Sequence, residues 1–436
     1  MKKVLIITYY WPPMGGGGVQ RWLKMTKYFR EFGWEPVIFT TENGEASVVD
    51  ESMLAEIPKG IETLRVPIWE PFSLYKKLLG KNKEERIAPS LGQETKGNST
   101  LHNLSIWVRG NFFIPDARMF WIKPSSKFLK KYLEENKIDA IISTGPPHST
   151  HLIAYNATRK NNIPWVADFR DPWTNIDFYH KLMLTRWADK RHKKLEQKVL
   201  RNADAVVTVS WSWAKDFEKL IDKKIEVITN GFDPEDFNQT KQVILDKKFT
   251  ITHAGSLNED RNPTILWKVL SDLVKELDGF KNDLEIKFIG QVDISASNEI
   301  KQYGLENYFT RINHLPHHLV IKEIIKSQTL LLPLNDVPNI DGVVPGKLYE
   351  YIGAKRPIIC IGKPTGDSAK IILETKAGSV TDFNDYQSLK DNIVDYYNSY
   401  KKQNLHISSE GFEKYSRKIL AGSFAKKLDE LITQQQ

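Results

Sequence analysis

The sequence predicts an α/β protein built as two Rossmann-like, doubly wound domains facing a central cleft. Three observations carry that expectation. The chain is 436 residues long and 41% hydrophobic, too long for one ordinary core and ample for two. Short apolar runs alternate with segments of helical periodicity in both halves, the pattern of a parallel sheet covered on two faces. Glycine-containing turns follow several of those runs, at the sheet edge where such folds bind ligands.

Residues 4–8 read as a short buried strand, and Gly15 to Gly18 make the turn after it. Residues 19–32 have helical periodicity, with Val19, Trp22, Leu23, Met25 and Phe29 among the apolar positions and Gly33 as the stop. Strands follow at 36–40 and 140–143, then a helix at 150–160, a strand at 164–167, a Lys/Arg-rich helix at 184–201 and a strand at 205–209. An irregular insertion, residues 69–127, interrupts this alternation; its middle, 94–99, is polar. Asn230-Gly231-Phe232-Asp233 closes the first domain, and 239–248 reads as the linker. Strands at 249–253, 285–289, 330–334 and 357–361 open the second block. The expected domains are 1–238 and 249–408, followed by a helical segment at 409–436.

A net charge of +8 is moderate for this length and suits nucleic acid, anionic lipid or phosphorylated substrates. Zinc-type Cys/His spacing and RNA-binding aromatic signatures are missing from the sequence, which argues against nucleic acid. The single cysteine, Cys360, excludes an internal disulfide and fits a reducing compartment. No signal-peptide pattern follows Met1, and no apolar run approaches the roughly 20 residues needed to span a bilayer. A cytoplasmic protein is expected. The insertion mixes basic residues (Lys76, Lys77, Lys81, Arg86, Arg109, Arg118, Lys123) with aromatics (Phe72, Tyr75, Trp107, Phe112, Phe113, Phe120, Trp121). It reads either as a contact with the inner membrane surface or as a loop-rich cap.

The stretch from Asp341 to Ile361 carries the most chemistry. A turn leads into an amphipathic helix whose first residues are Gly346, Lys347 and Leu348, and an apolar run follows at once. Free N–H groups at a helix start bind anions. Lys347 opposes the helix dipole there, which suggests an anionic ligand. Glu350 can accept paired hydroxyl hydrogen bonds. Phosphate plus vicinal diol is what a sugar nucleotide presents. This stretch resembles the donor-binding segment of retaining GT-B glycosyltransferases of family 4, the group 1 type. The family's usual form is a Glu, seven residues and a second Glu. The resemblance places Glu350 on the donor ribose. Gly342 stands where the first Glu falls.

Four further segments fit the same resemblance. The loop Thr8 to Arg21 fails the G-x-G-x-x-G dinucleotide fingerprint, because Gln20 or Arg21 takes the third glycine position. It resembles the family's first glycine loop, which implies that Gly16, Gly17 and Gly18 face the donor diphosphate and Arg21 the acceptor. His148 follows a strand, where the family's matching His approaches donor sugar and phosphate; neighbouring His151 competes for that role. Asp168-Phe169-Arg170-Asp171-Pro172-Trp173 resembles a segment of this subgroup and implies an acceptor side made of Asp168, Arg170 and Trp173. Asp171 is the better acid there, and a structural ion-pair network is the competing reading. At the opening of the second domain Gly255 and Arg261 belong to the implied diphosphate site, and Ser256 stands where many relatives have Arg. Gly290 is a backbone contact by analogy. His317-His318 reads as a helix cap.

The resemblance therefore implies a hexosyltransferase-like enzyme. It would move a sugar from a nucleoside-diphosphate sugar to a hydroxyl of a glycan or lipid-linked acceptor with retention, in cell-surface polysaccharide or glycoconjugate synthesis. Catalytic roles fall to His148 and Asp171. Neither metal nor cofactor is expected, since the Asp-x-Asp pair of metal-dependent transferases is missing from the sequence. Closure about the linker would exclude water, and the last helix would return to the first domain. Alternatives are a nucleotide-sugar 2-epimerase of GT-B fold or a non-catalytic sugar-nucleotide-binding protein.

Overall fold

The computed structural model describes residues 1–46, 48–70, 100–159, 161–238, 243–313, 315–407 and 409–435. It divides into two units, Met1–Thr229 with Arg417–Gln436, and Asn230–Ser416.

The first unit is built on a seven-stranded parallel sheet. Its strands are β1 (Lys2–Ile7), β2 (Trp34–Thr41), β3 (Glu62–Val66), β4 (Ala140–Gly145), β5 (Trp165–Phe169), β6 (Ala205–Thr208) and β7 (Glu226–Val227), in the order β3-β2-β1-β4-β5-β6-β7. The central strands are continuous apolar runs such as Val4-Leu5-Ile6-Ile7, all fully buried, because helices cover both faces. Val4 pairs with Pro36 on one side and Ala140 on the other. The helix Gly17–Thr26 follows β1, and the helix Arg417–Gln435 packs on it through Phe424, whose ring lies 5.0 Å from Trp22.

The second unit holds a six-stranded parallel sheet of β8 (Phe249–Ala254), β9 (Leu284–Ile289), β10 (Phe309–Ile312), β11 (Thr329–Pro333), β12 (Ile358–Ile361) and β13 (Gly378–Thr381), in the order β10-β9-β8-β11-β12-β13. Phe249, Trp267, Phe280, Ile286 and Tyr397 anchor its core. Each sheet reverses its strand order once, between β1 and β4 and between β8 and β11. The loops leaving those strands diverge there and open a crevice.

Several expectations change. The helix expected at 19–32 ends at Thr26, and a separate 3-10 turn, Phe29–Phe32, closes on Gly33 at φ +80°. The described part of the insertion is mainly helical, with helices Thr100–Phe112 and Met119–Glu135. Gly110 and Pro124 inside them, and exposed aromatics such as Phe112 and Phe120, mask the apolar period. Residues 71–99, including Phe72, Tyr75, Lys76, Lys77, Lys81, Arg86 and the polar middle 94–99, lie outside the described residues. So do residues 239–242 of the expected linker. The final helix starts at Arg417, after a 3-10 turn at Phe412–Tyr415. Among the described residues, no helix is long and apolar enough to cross a membrane.

Candidate active site

In the second unit, β8 runs into Gly255 and β9 into Gly290, both in the left-handed region at φ +115° and +126°. A Cβ on Gly255 would sit 2.6 Å from Lys347 Nζ, and one on Gly290 would sit 2.9 Å from the Gly255 carbonyl oxygen. At Gly290 a Cβ would meet backbone and at Gly255 it would displace the end of Lys347, and both φ values favour glycine, so the backbone lies bare where the lysine arrives. Lys347 is the second residue of the helix Gly346–Ala354, which starts at Pro345 without a side-chain cap. The Ala254 N–H donates to Tyr351 Oη at 2.8 Å and ties this helix to the end of β8.

Lys347 Nζ lies 3.3 Å from His253 Nε2, and His253 Nδ1 lies 3.0 Å from the Leu331 carbonyl oxygen. That carbonyl accepts the Nδ1 proton, leaving Nε2 as the acceptor for the lysine. Burial, with the adjacent Lys347, holds His253 neutral. Burial, with the Arg261 charge, brings the Lys347 ammonium down to about 7. Arg261 donates from Nε to Asn335 Oδ1 at 2.9 Å. Lys347, with the Arg261 charge acting on it, meets bare glycine backbone and an uncapped helix start, an arrangement that suits a multiply charged anion. Glu350, one turn on, lies 3.1 Å from His317 Nε2, the first residue of the helix His317–Lys326. Leu348 is buried beneath the first turn. Gly342 closes a 3-10 turn and is buried, while neighbouring Asp341 pairs with Lys363 at 2.8 Å.

In the first unit, the ends of β1, β4 and β5 border a cavity of about 300 Å³. Its lining includes Tyr10, Arg118, Pro146, His148, Asp171 and Trp173. The His148 ring lies flat on Trp173, with centroids 4.7 Å apart and planes within 2°. Desolvation keeps His148 neutral and raises the Asp171 carboxyl. The loop bearing Trp173 is held from behind by the helix Arg186–Asn202. Glu196 Oε1 accepts from the backbone N–H groups of Trp173 and Thr174 at 3.1 and 3.2 Å, and Oε2 from the Thr174 hydroxyl. Trp173 Nε1 donates to His192 Nδ1 at 3.0 Å.

The remaining expected residues divide by accessibility. Arg21 and Asp168 are buried and do not line the cavity. They pair at 2.9 Å, and Asp168 also accepts from Trp22 Nε1 and the Thr144 hydroxyl. Arg21 binds the carbonyls of Ile228 and Thr229. Buried and bonded in this way, they fasten helix to sheet. Arg170 joins the carbonyl of Gly18 to that of Pro146, so it sets the glycine loop against the His148 loop. Gly16, at φ +88°, and Gly17 have open space where a Cβ would point. His151 belongs to the core, fully buried and 2.7 Å from the Ser143 hydroxyl. Sequence reasoning missed His253, for which a lone His inside a strand gives no signal. It also missed His192 and Glu196, whose i, i+4 spacing places them on one helix face. Among the described residues, no three His, Cys, Asp or Glu side chains gather to hold a metal.

Two family models match, Glycosyltransferase Family 4 over residues 86–236 and Glycosyl transferases group 1 over residues 234–414. The chain belongs to this glycosyltransferase family, and its two Rossmann-like units are the GT-B fold. Among solved structures it is similar to sucrose-phosphate synthase from Thermosynechococcus elongatus, at 11% identity and TM-score 0.63 with both chains fully covered. It is also similar to a TarM variant from S. aureus, solved with fondaparinux, alpha-GlcNAc-glycerol and UDP. That match has 13% identity and TM-score 0.56, covering 100% of this chain and 97% of the other. A protein assigned as a UDP-N-acetylglucosamine 2-epimerase from Listeria monocytogenes matches at 9% identity and TM-score 0.58, covering 100% and 98%. At these identities the likeness is one of fold. No curated protein matches the sequence.

Proposed function

We propose that this glycosyltransferase takes a sugar from a nucleoside-diphosphate sugar to a hydroxyl of a glycan or lipid-linked acceptor. Retention of configuration and a role in cell-surface polysaccharide or glycoconjugate synthesis complete the reading. The observation that carries it is the cradle in the second unit, where Lys347 meets bare glycine backbone at a helix start and feels the Arg261 charge. There the cations stabilise the charge that develops on the departing diphosphate. Glu350 takes the ribose hydroxyls. The donor's own phosphate takes the acceptor proton, so no dedicated protein base is needed, and cationic side chains take the place of a metal on the leaving diphosphate. His148 and Asp171 act on the acceptor side, with the Trp173 ring as the platform for the acceptor. The UDP in the S. aureus TarM complex agrees with a nucleotide-linked donor.

Thermal-shift titration with UDP-, GDP-, ADP- and dTDP-sugars tests the donor site. One class should stabilise the protein, and Lys347→Ala and Glu350→Ala should each weaken that response by roughly ten-fold or more. No response to any donor would sink the reading. The fold is shared with the Listeria protein, so products formed without acceptor should also be analysed. Epimerised donor in that control would favour the 2-epimerase alternative. Donor binding without turnover on any acceptor would favour a binding protein.

A further inference from the structure

The helix Arg186–Asn202 has two unlike faces. Its buried face carries His192 and Glu196, which hold the Trp173 loop at the cavity. Its outer face is basic. Arg186, Lys190, Arg191, Lys193, Lys194, Lys198 and Arg201 are exposed there. The acids on the helix are Asp189, paired with Lys193 at 2.8 Å, and buried Glu196. Trp187 stands in the middle of this face, 66% exposed. Lys190, Arg191 and Lys194 lie three, four and seven residues on, so they share its stripe. A tryptophan left in water within a lysine and arginine stripe contributes nothing to the core.

The exposed apolar surface continues beside it. Met183 is 41% exposed and Phe112 is 63% exposed. Asn111 fastens the two segments together, donating to the Met183 carbonyl and accepting from the Thr185 N–H at 2.7 Å. Gly110, two residues before Phe112, and Leu182, just before Met183, line the cavity, as does His192. An aromatic and basic surface therefore adjoins the mouth of the acceptor-side cavity.

We propose that this outer face docks the protein on an anionic lipid bilayer, with Trp187, Met183 and Phe112 entering the interface and the basic stripe meeting the headgroups. Docking at this face would bring a membrane-borne acceptor to the cavity beside Trp173. That last step rests on the lipid-linked reading of the acceptor; the docking surface itself does not.

Vesicle flotation tests it, using full-length protein with phosphatidylcholine vesicles, with or without phosphatidylglycerol. Wild-type protein should float with the anionic vesicles, stay behind with the neutral ones, and be released by about 0.5 M salt. Lys190→Glu/Arg191→Glu/Lys194→Glu should lose roughly ten-fold or more in vesicle affinity. Trp187→Ser should weaken binding several-fold and leave the salt dependence intact. Both variants should keep wild-type thermal stabilisation by the nucleotide sugar, which shows that they fold and that the donor site is untouched. Wild-type protein that ignores anionic vesicles, or a charge-reversed variant that floats equally well, overturns the proposal. So does a nucleic-acid duplex that strips wild-type protein from vesicles at equal charge, because the surface would then be a general polyanion site. Vesicle binding without transfer to any lipid-linked acceptor would support the docking surface and count only against the acceptor reading.

Discussion

Lys347 shows most directly how this fold shapes one residue. Its ammonium is partly desolvated, lies near the Arg261 charge, and has the neutral His253 ring as its hydrogen-bond partner. These conditions bring its titration to about 7. At the proposed donor site, a bound diphosphate would favour the charged form and raise that value again. The free enzyme must then take up a proton to bind donor at alkaline pH. Donor affinity, measured calorimetrically, should fall by roughly ten-fold per pH unit once pH exceeds about 7. Lys347→Arg should abolish the slope, because a guanidinium stays charged throughout. Linkage in the free protein runs the other way. The unfolded chain holds this proton up to the ordinary lysine range, so the lysine's contribution to stability rises with pH above about 7. An affinity flat from pH 6 to 9 would show that Lys347 does not meet the donor's charge. Much of this site was legible in the sequence. A lysine in the first turn of a helix is electrostatically misplaced unless an anion is expected, and that conflict marks the position. His253 had no such mark, because its role depends on strand neighbours that periodicity does not reveal.

At the scale of elements, the switch-point loops were legible because a buried apolar run followed by a glycine-containing turn is a local signal. Edge strands were not. β3, β7, β10 and β13 are short or half-exposed, so no continuous apolar run marks them. The helix Arg186–Asn202 reads as a solvated basic rod, yet its inner face does the positioning. Glu196 accepts three hydrogen bonds from Trp173 and Thr174, and burial raises its carboxyl above the ordinary range. Glu196→Ala would leave two backbone N–H groups in want of acceptors, each at a cost of about 1–3 kcal/mol. Steady-state kinetics should show a higher acceptor KM with donor KM unchanged. Glu196→Gln, which keeps one carbonyl acceptor, should recover part of the loss. A parallel rise in both KM values would mean that the helix supports the fold generally and not the Trp173 loop. The Asp168 carboxylate makes the opposite comparison. Replacing it with Ala strands the buried Arg21 guanidinium and should cost about 3–5 kcal/mol of stability, measurable by chemical denaturation.

At the scale of the whole molecule, the same sheet topology occurs twice and carries two different surfaces at its crevices. The second unit's crevice is cationic and glycine-lined, with Lys347, Arg261, Gly255 and Gly290. That of the first unit is aromatic, with the uncharged His148 ring flat on Trp173, and it is lined by charged groups of both signs such as Arg118 and Asp171. On the proposed reading, the cationic crevice suits a charged leaving group and the aromatic one an acceptor hydroxyl, each on its own unit. The two functions should therefore separate by mutation. Trp173→Ala removes the ring beneath His148 without touching the cradle. Donor-induced thermal stabilisation should stay at the wild-type level, while transfer to acceptor drops by roughly ten-fold or more through the acceptor KM. Lys347→Ala should lose both donor stabilisation and transfer, because a transferase cannot use an acceptor without an occupied donor site. Loss of donor stabilisation in Trp173→Ala would contradict the division, and would mean that the aromatic cavity in the first unit helps to hold the nucleotide sugar.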